Sequence, residues 1–159
     1  MNWTSMDIRV YTAADHAEWL RLRGALSPHH EPAAEAEDAA AWLARVDAAV
    51  IVAARPTGRL AGFAEVGARP YADGCATSPV AYLEGWYVDP DVRRVGVGAA
   101  LVRAAVSWAR SLGFGELASD ALLENLGSQR AHEALGFSEV ERSVKYRLAL
   151  RSGSNAHLV

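Results

Sequence analysis

Hydrophobic and polar positions along this chain follow two different periods. Short β-rich apolar runs occupy residues 8–11, 49–54, 60–68 and 80–88, and a shorter one fits 116–119. A last run has Val144, Tyr146, Leu148 and Leu150 at every second position, the spacing of a half-buried strand. Between these runs the period lengthens to that of a helix. Thr12-Ala13-Ala14-Asp15 reads as a capping box with Asp in place of Glu, and it opens a helix that runs toward Leu26. Ser27-Pro28-His29-His30 breaks that helix, and 33–46 forms a second one with Trp42, Leu43 and Val46 on one side. Pro56-Thr57-Gly58 is a turn, so 49–54 and 60–68 pair as a hairpin. After a loop at 69–79 and a strand at 80–88, Leu101, Ala105, Trp108 and Leu112 share one face of a helix over 99–112, which Gly113 and Gly115 end. Asn125 is a natural N-cap and Gly136 a natural residue just past a helix end, which brackets one more helix. The predicted order is strand, two helices, an antiparallel meander, helix, strand, helix, strand. Residues 1–159 read as one α/β domain with its core in 6–150 and a loose tail at 151–159.

Composition adds exclusions. Apolar residues make up 51% and charged residues 22% of the 159, ordinary values for a globular domain of one sizeable core. The net charge of −3 points away from nucleic acid as a partner. Cys75 is the single cysteine, so no intrachain disulfide can form, and a reducing, cytoplasmic location is expected. No apolar span reaches membrane-crossing length, and Met1-Asn2-Trp3-Thr4-Ser5 lacks the basic and apolar regions of a signal peptide.

The densest chemistry sits at Arg93-Arg94-Val95-Gly96-Val97-Gly98, between the 80–88 strand with its Asp89-Pro90 turn and the helix that begins at Ala99. The first amides of a helix have no intrahelical partner, and the helix dipole places partial positive charge on them. Glycines let the backbone approach a phosphate closely, and the arginines add full charges. The segment therefore reads as a pyrophosphate cradle. It is not a P-loop, because Ala99-Ala100 stands where Lys-Ser or Lys-Thr is needed, nor a dinucleotide fingerprint, because Leu101 stands at the third glycine.

Arg-x-x-Gly-x-Gly after a strand and a turn resembles the coenzyme A loop of the GCN5-related N-acetyltransferases. Asn125-Leu126-Gly127-Ser128, leading to Leu135-Gly136-Phe137, resembles the fourth helix of the same superfamily. The resemblance implies the acetyltransferase fold: a mixed central β-sheet with helices on both faces and splayed central strands. The gap would lie between 80–88 and 116–119, and the co-substrate would be acetyl-CoA, with no metal. It also implies cofactor contacts from Trp86, Tyr87, Val88, Arg93, Arg94, Val95, Gly96, Val97, Gly98, Ala99, Asn125 and His132. Tyr71-x-x-Gly74-Cys75, Ser78-Pro79-Val80, Leu83-Glu84-Gly85, Ala118-Ser119-Asp120 and Glu141-Arg142 are similar to the aminoglycoside 6′-N-acetyltransferases, over about residues 6–150. That branch implies acetylation of the 6′-amine of a cationic aminoglycoside by direct attack in a ternary complex, conferring antibiotic resistance, by a homodimer without nucleic-acid or membrane partners. The alternatives are an acetyltransferase of another amine (a protein N-terminus, a polyamine or an amino sugar) and a non-catalytic acyl-CoA-binding domain.

An acceptor amine must lose a proton before it can attack a thioester, and a polycationic substrate calls for an acidic pocket. Glu84, in mid-strand, and Asp120, at the end of the neighbouring strand, are the expected catalytic and substrate-binding carboxylates. The alternative for Glu84 is an ion pair with a basic side chain; for Asp120 it is a loop cap. Tyr71, in the 69–79 loop, could flank the sugar rings; the alternative is a packed loop tyrosine. Backbone amides around Tyr87 and Val88 could hold the thioester oxygen as it gains charge. His132 stands where many superfamily members have a tyrosine that protonates the leaving thiolate; the alternative is a solvated helix residue. Tyr146 is a second possible donor, with core packing as its alternative. His29-His30 lacks further metal ligands, and Cys75 lacks a partnered histidine pattern. Glu31, Glu35, Glu37 and Asp38 read as a solvated helix face that could rim the pocket.

Overall fold

The computed structural model describes residues 6–150; residues 1–5 and the expected tail at 151–159 lie outside the described residues. The elements in chain order are β1 (Asp7–Val10), α1 (His16–Leu26), α2 (Pro32–Leu43), β2 (Ala48–Ala54), β3 (Leu60–Arg69), β4 (Val80–Val88), α3 (Val97–Ser111), β5 (Leu117–Ser119) and α4 (Leu126–Ala134). The sheet runs β1-β2-β3-β4-β5, antiparallel through β4 and parallel between β4 and β5. Asp15 begins α1 as the sequence predicts: the Thr12 N–H donates to Asp15 Oδ2 at 2.7 Å. Arg9 donates to the same carboxylate, which ties β1 to the helix start and holds the Asp15 pKa down at about 2.

Helices cover both faces of the sheet. On one face α3 sets Val97, Leu101, Val102, Ala105 and Ala109 against Ile51, Ala64, Val66, Ala81 and Leu83. On the other, Trp19 and Leu22 of α1 and Ala39 of α2 pack on Val50, Val52, Leu60 and Phe63. Leu101 is fully buried, and truncating a leucine so placed to alanine costs about 2–5 kcal/mol.

One irregularity in β4 decides where the chemistry sits. Val66 pairs with Leu83 and Glu65 with Gly85, so Glu84 is an extra, unpaired residue. This bulge reverses the facing of the strand. Before it, Ala81 and Leu83 point to the α3 side; after it, Trp86 and Val88 do, while Tyr87 packs with the α1 side. Gly85 suits the bulge because a Cβ there would stand 3.2 Å from Phe63 Cε2 and 3.3 Å from Glu65 Oε2.

The expected last strand is absent. Residues 137–150 form no strand, and Val144, Tyr146, Leu148 and Leu150 are 70%, 92%, 83% and 87% exposed. A strand needs a ladder partner, and no described strand lies along the second edge of β5. The expected core packing of Tyr146 fails for the same reason.

Candidate active site

Strands β4 and β5 pair only at Ala81↔Leu117, Tyr82↔Ala118 and Leu83↔Ser119. Beyond Leu83, β4 continues to Val88 with no described strand on its β5 side, which leaves a wedge with Leu83 and Ser119 at its vertex. The wedge opens toward the start of α3. Gly96 has φ +101° and Arg94, unusually for a residue with a side chain, φ +62°. Such left-handed backbone cannot be held cheaply by local preference, so the surrounding structure imposes it. Val97, Gly98 and Ala99 then present the unbonded amides of the first helical turn. Gly98 lies so close to β4 that a Cβ would stand 3.1 Å from Trp86 Cζ2. These features fit a pyrophosphate: a left-handed turn at Arg94 and Gly96, a helix start behind it, and glycines at 96 and 98 that add no side chain of their own. Arg94 is exposed beside this loop, whereas Arg93 turns back, its Nε donating to the Val88 carbonyl at 2.8 Å and its guanidinium lying over the Tyr87 ring. Arg93 therefore braces the loop against β4. Asp89 fixes the loop's other end, with Arg21 donating to both carboxylate oxygens at 3.0 Å and Arg55 adding a longer contact.

At the vertex the two expected carboxylates belong to one cluster. Arg69, the last residue of β3, donates to Glu84 through Nε at 2.6 Å and Nη2 at 2.5 Å. Its guanidinium stacks 3.4 Å over the Tyr82 ring, and the Tyr82 hydroxyl donates to Asp120 Oδ1 at 3.0 Å. Burial, followed by the bond to Asp120, pushes the Tyr82 hydroxyl up to about 12. Glu84 thus has the ion-pair partner that the sequence reading set out as its alternative. With Glu84, Arg69 and Asp120 all charged, the cluster keeps one net negative charge, enough to attract an ammonium group.

His132 is not a solvated helix residue. Its Nδ1 lies 2.7 Å from the Ser128 carbonyl and its Nε2 2.8 Å from Ser119 Oγ. Trp86 and Phe137 meet the ring edge-on at centroid distances of 5.3 and 5.2 Å. Asn125 caps α4, its Oδ1 accepting from the Ser128 amide at 3.0 Å; it shapes the helix start that carries His132. Tyr71 is 67% exposed, with its side chain open to solvent.

A second polar cluster borders the site on the α1 side. Glu65 and Glu35 share Arg23, and Trp19 Nε1 donates to Glu65 Oε1 at 3.0 Å. Burial raises the Glu65 pKa against the pull of Arg23. A cavity of about 110 Å³ lies between this cluster and Glu84-Gly85. Glu35 is therefore not part of a solvated face, unlike the sequence expectation. Arg69, Tyr82, Glu65 and Ser119 were not singled out from the sequence. Ser119 stood beside Asp120 in a quoted motif; Arg69 and Glu65 carried no local signal, because their partners lie 15 and 42 residues away. Among the described residues no cluster of histidine, cysteine, aspartate and glutamate could hold a metal.

Comparison with known proteins agrees with this geometry. The model of the acetyltransferase (GNAT) family matches residues 15–137. An aminoglycoside N(6′)-acetyltransferase type 1 of Klebsiella aerogenes is 44% identical over 146 residues, covering 90% of this chain and 96% of the relative. One from Stenotrophomonas maltophilia is 43% identical over 144 residues, covering 90% and 93%. The solved structure of AAC(6′)-Iy with the bisubstrate analogue CoA-S-monomethyl-acetylneamine superimposes with a TM-score of 0.85 at 38% identity, covering 91% of this chain and 99% of that one. AAC(6′)-Iy is also known in complex with CoA, again with a TM-score of 0.85.

Proposed function

Since this chain belongs to the acetyltransferase (GNAT) family, among the aminoglycoside N(6′)-acetyltransferases, and is an acetyl-CoA-dependent N-acetyltransferase, we propose that it acetylates the 6′-amine of aminoglycoside antibiotics and so confers resistance. One observation carries the reading: the β4–β5 wedge joins the helix-start cradle to an acidic cluster with one unneutralised charge. The residues from Arg94 to Ala99 bind the pyrophosphate of acetyl-CoA, and the pantetheine arm lies along the unpaired edge of β4. Glu84, held in place by Arg69, and Asp120, held by Tyr82, bind ammonium groups of the drug at the mouth. Tyr71 is free to lie against the sugar rings. The amine attacks the thioester directly, and the wedge backbone near Tyr87 and Val88 stabilises the oxygen that gains charge.

The same proposal takes 1–159 as one domain acting in the cytoplasm as a homodimer. The single cysteine supports the location, and no described helix is long and apolar enough to cross a membrane. The dimer is supported by two features: the exposed alternation of Val144, Tyr146, Leu148 and Leu150, and an edge of β5 with no described strand along it. Strand addition by a second copy would bury that pattern, which one chain leaves in water.

A thiol-release assay with acetyl-CoA tests the substrate class. Kanamycin- and tobramycin-type drugs, with an amine at the 6′ position, should turn over well, and drugs with a hydroxyl there poorly. Equal turnover of both, or turnover of polyamines or peptides alone, would defeat the proposal.

A further inference from the structure

Both carboxylates at the wedge are already engaged, Glu84 by Arg69 and Asp120 by Tyr82. In the reading above both serve to hold ammonium groups of the drug, and another pair at the vertex is placed to move a proton. Ser119 forms the last β4–β5 pair, opposite Leu83, so it stands at the point where the wedge closes. Its Oγ is 2.8 Å from His132 Nε2 and 3.3 Å from the Leu83 carbonyl. His132 Nδ1 faces the Ser128 carbonyl at 2.7 Å and, farther off, the Ser128 hydroxyl at 3.4 Å; the carbonyl can only accept, so the shorter contact puts the ring hydrogen on Nδ1 and leaves Nε2 as the acceptor. The two flanking rings fix the imidazole in this orientation. A carbonyl, an imidazole and a serine hydroxyl in line make a proton chain in which the imidazole tautomer is set by the group behind it.

We propose that Ser119 is a catalytic residue that shuttles the proton of the acetyl transfer, with His132 as the positioning residue that stores it. The inference rests on the acetyl-transfer reading above. The amine enters as the free base, its ammonium proton having been released to water. As its nitrogen forms the C–N bond to the acetyl carbonyl, it becomes positively charged; Ser119 Oγ takes one of its protons and passes its own to His132 Nε2. When the C–S bond breaks, the electron pair leaves on sulfur. His132 Nε2–H then returns its proton to Ser119 Oγ, and Ser119 gives one to the thiolate. Amine and thioester become amide and thiol, and the imidazole ends in its starting tautomer. No second acid or base is needed, and one pair serves both proton transfers.

The test compares Ser119→Ala, His132→Gln and the double variant in steady-state kinetics, with thermal melts and calorimetry for coenzyme A. Each single variant should lose about 10²- to 10⁴-fold in kcat, the range for acid–base help, while Tm and coenzyme A affinity hold. The double variant should lose no more than the worse single one, because the two act as a unit. Nitrogen NMR of the wild type with coenzyme A bound should show His132 as the Nδ1–H tautomer. Near-wild-type kcat in either single variant, additive losses in the double, a raised KM with kcat intact, or an acetyl-Ser119 trapped for mass spectrometry would each overturn the relay. So would an Nε2–H tautomer, whatever the substrate. An enzyme that releases thiol with no aminoglycoside would defeat the functional reading instead, and the tautomer would still decide the pair.

Discussion

Two side chains that look alike in the sequence, Glu84 and Glu65, take different parts. Glu65 lies deep between Trp19 and Arg23, and burial raises its pKa. Glu84, the extra residue of the bulge, stays partly open with one arginine across it. Burial and pairing thus sort two carboxylates into a buried support and a binding group. If Glu84 and Asp120 bind ammonium and leave the proton to Ser119, neutral amides should act mainly on drug binding. Glu84→Gln and Asp120→Asn should each raise the KM for a 6′-amino drug by about tenfold or more, the loss of a charge-assisted hydrogen bond. Their kcat should fall far less, and coenzyme A affinity should survive. Steady-state constants beside thermal melts decide it; a kcat loss that dwarfs the KM change would return the base role to these carboxylates. The sequence points to Glu84 and Asp120 at the site and leaves His132 open between a proton donor and a solvated residue. It could not show what each is bonded to, because Arg69 and Ser119 reach them only once the sheet is assembled.

At the level of elements, the local signals read well. The Thr12–Asp15 box, the 99–112 amphipathic face and the Asn125 cap all appear, with ends shifted by a few residues. Each depends on neighbours within one or two helical turns, which a sequence exposes directly. The β4 bulge was not legible, because it exists only as an offset between two strands. The last strand failed for the converse reason: its alternation is plain, but its partner is not among the described residues of one chain. The element that best joins sequence to function is the start of α3. Gly96 has φ +101° beside Arg94 at φ +62°, so a side chain there meets both strain and the approaching phosphate. Gly96→Asp adds a repelling charge as well. The folded variant should lose at least about tenfold in coenzyme A affinity by calorimetry; unchanged affinity would take the pyrophosphate away from this loop.

Taken whole, the molecule is a sheet opened at one seam; in the proposed reading the cofactor comes to its α3 end and the cationic acceptor to its acidic mouth. Val140, Val144, Tyr146, Leu148 and Leu150 are all exposed. A second copy that covers them should make the protein sediment as a dimer, and Tyr146→Asp with Leu148→Asp should shift it toward monomer while leaving the monomer's fold intact. A wild type that sediments as a monomer at micromolar concentration would remove the dimer from the account. The most direct measurement is the structure of the product. Kanamycin-type drug incubated with the enzyme and acetyl-CoA should give a single monoacetylated species, with its new amide located by two-dimensional NMR at the 6′ nitrogen. An acetyl group on a different nitrogen or on an oxygen, or no product at all while coenzyme A binds normally, would contradict the account.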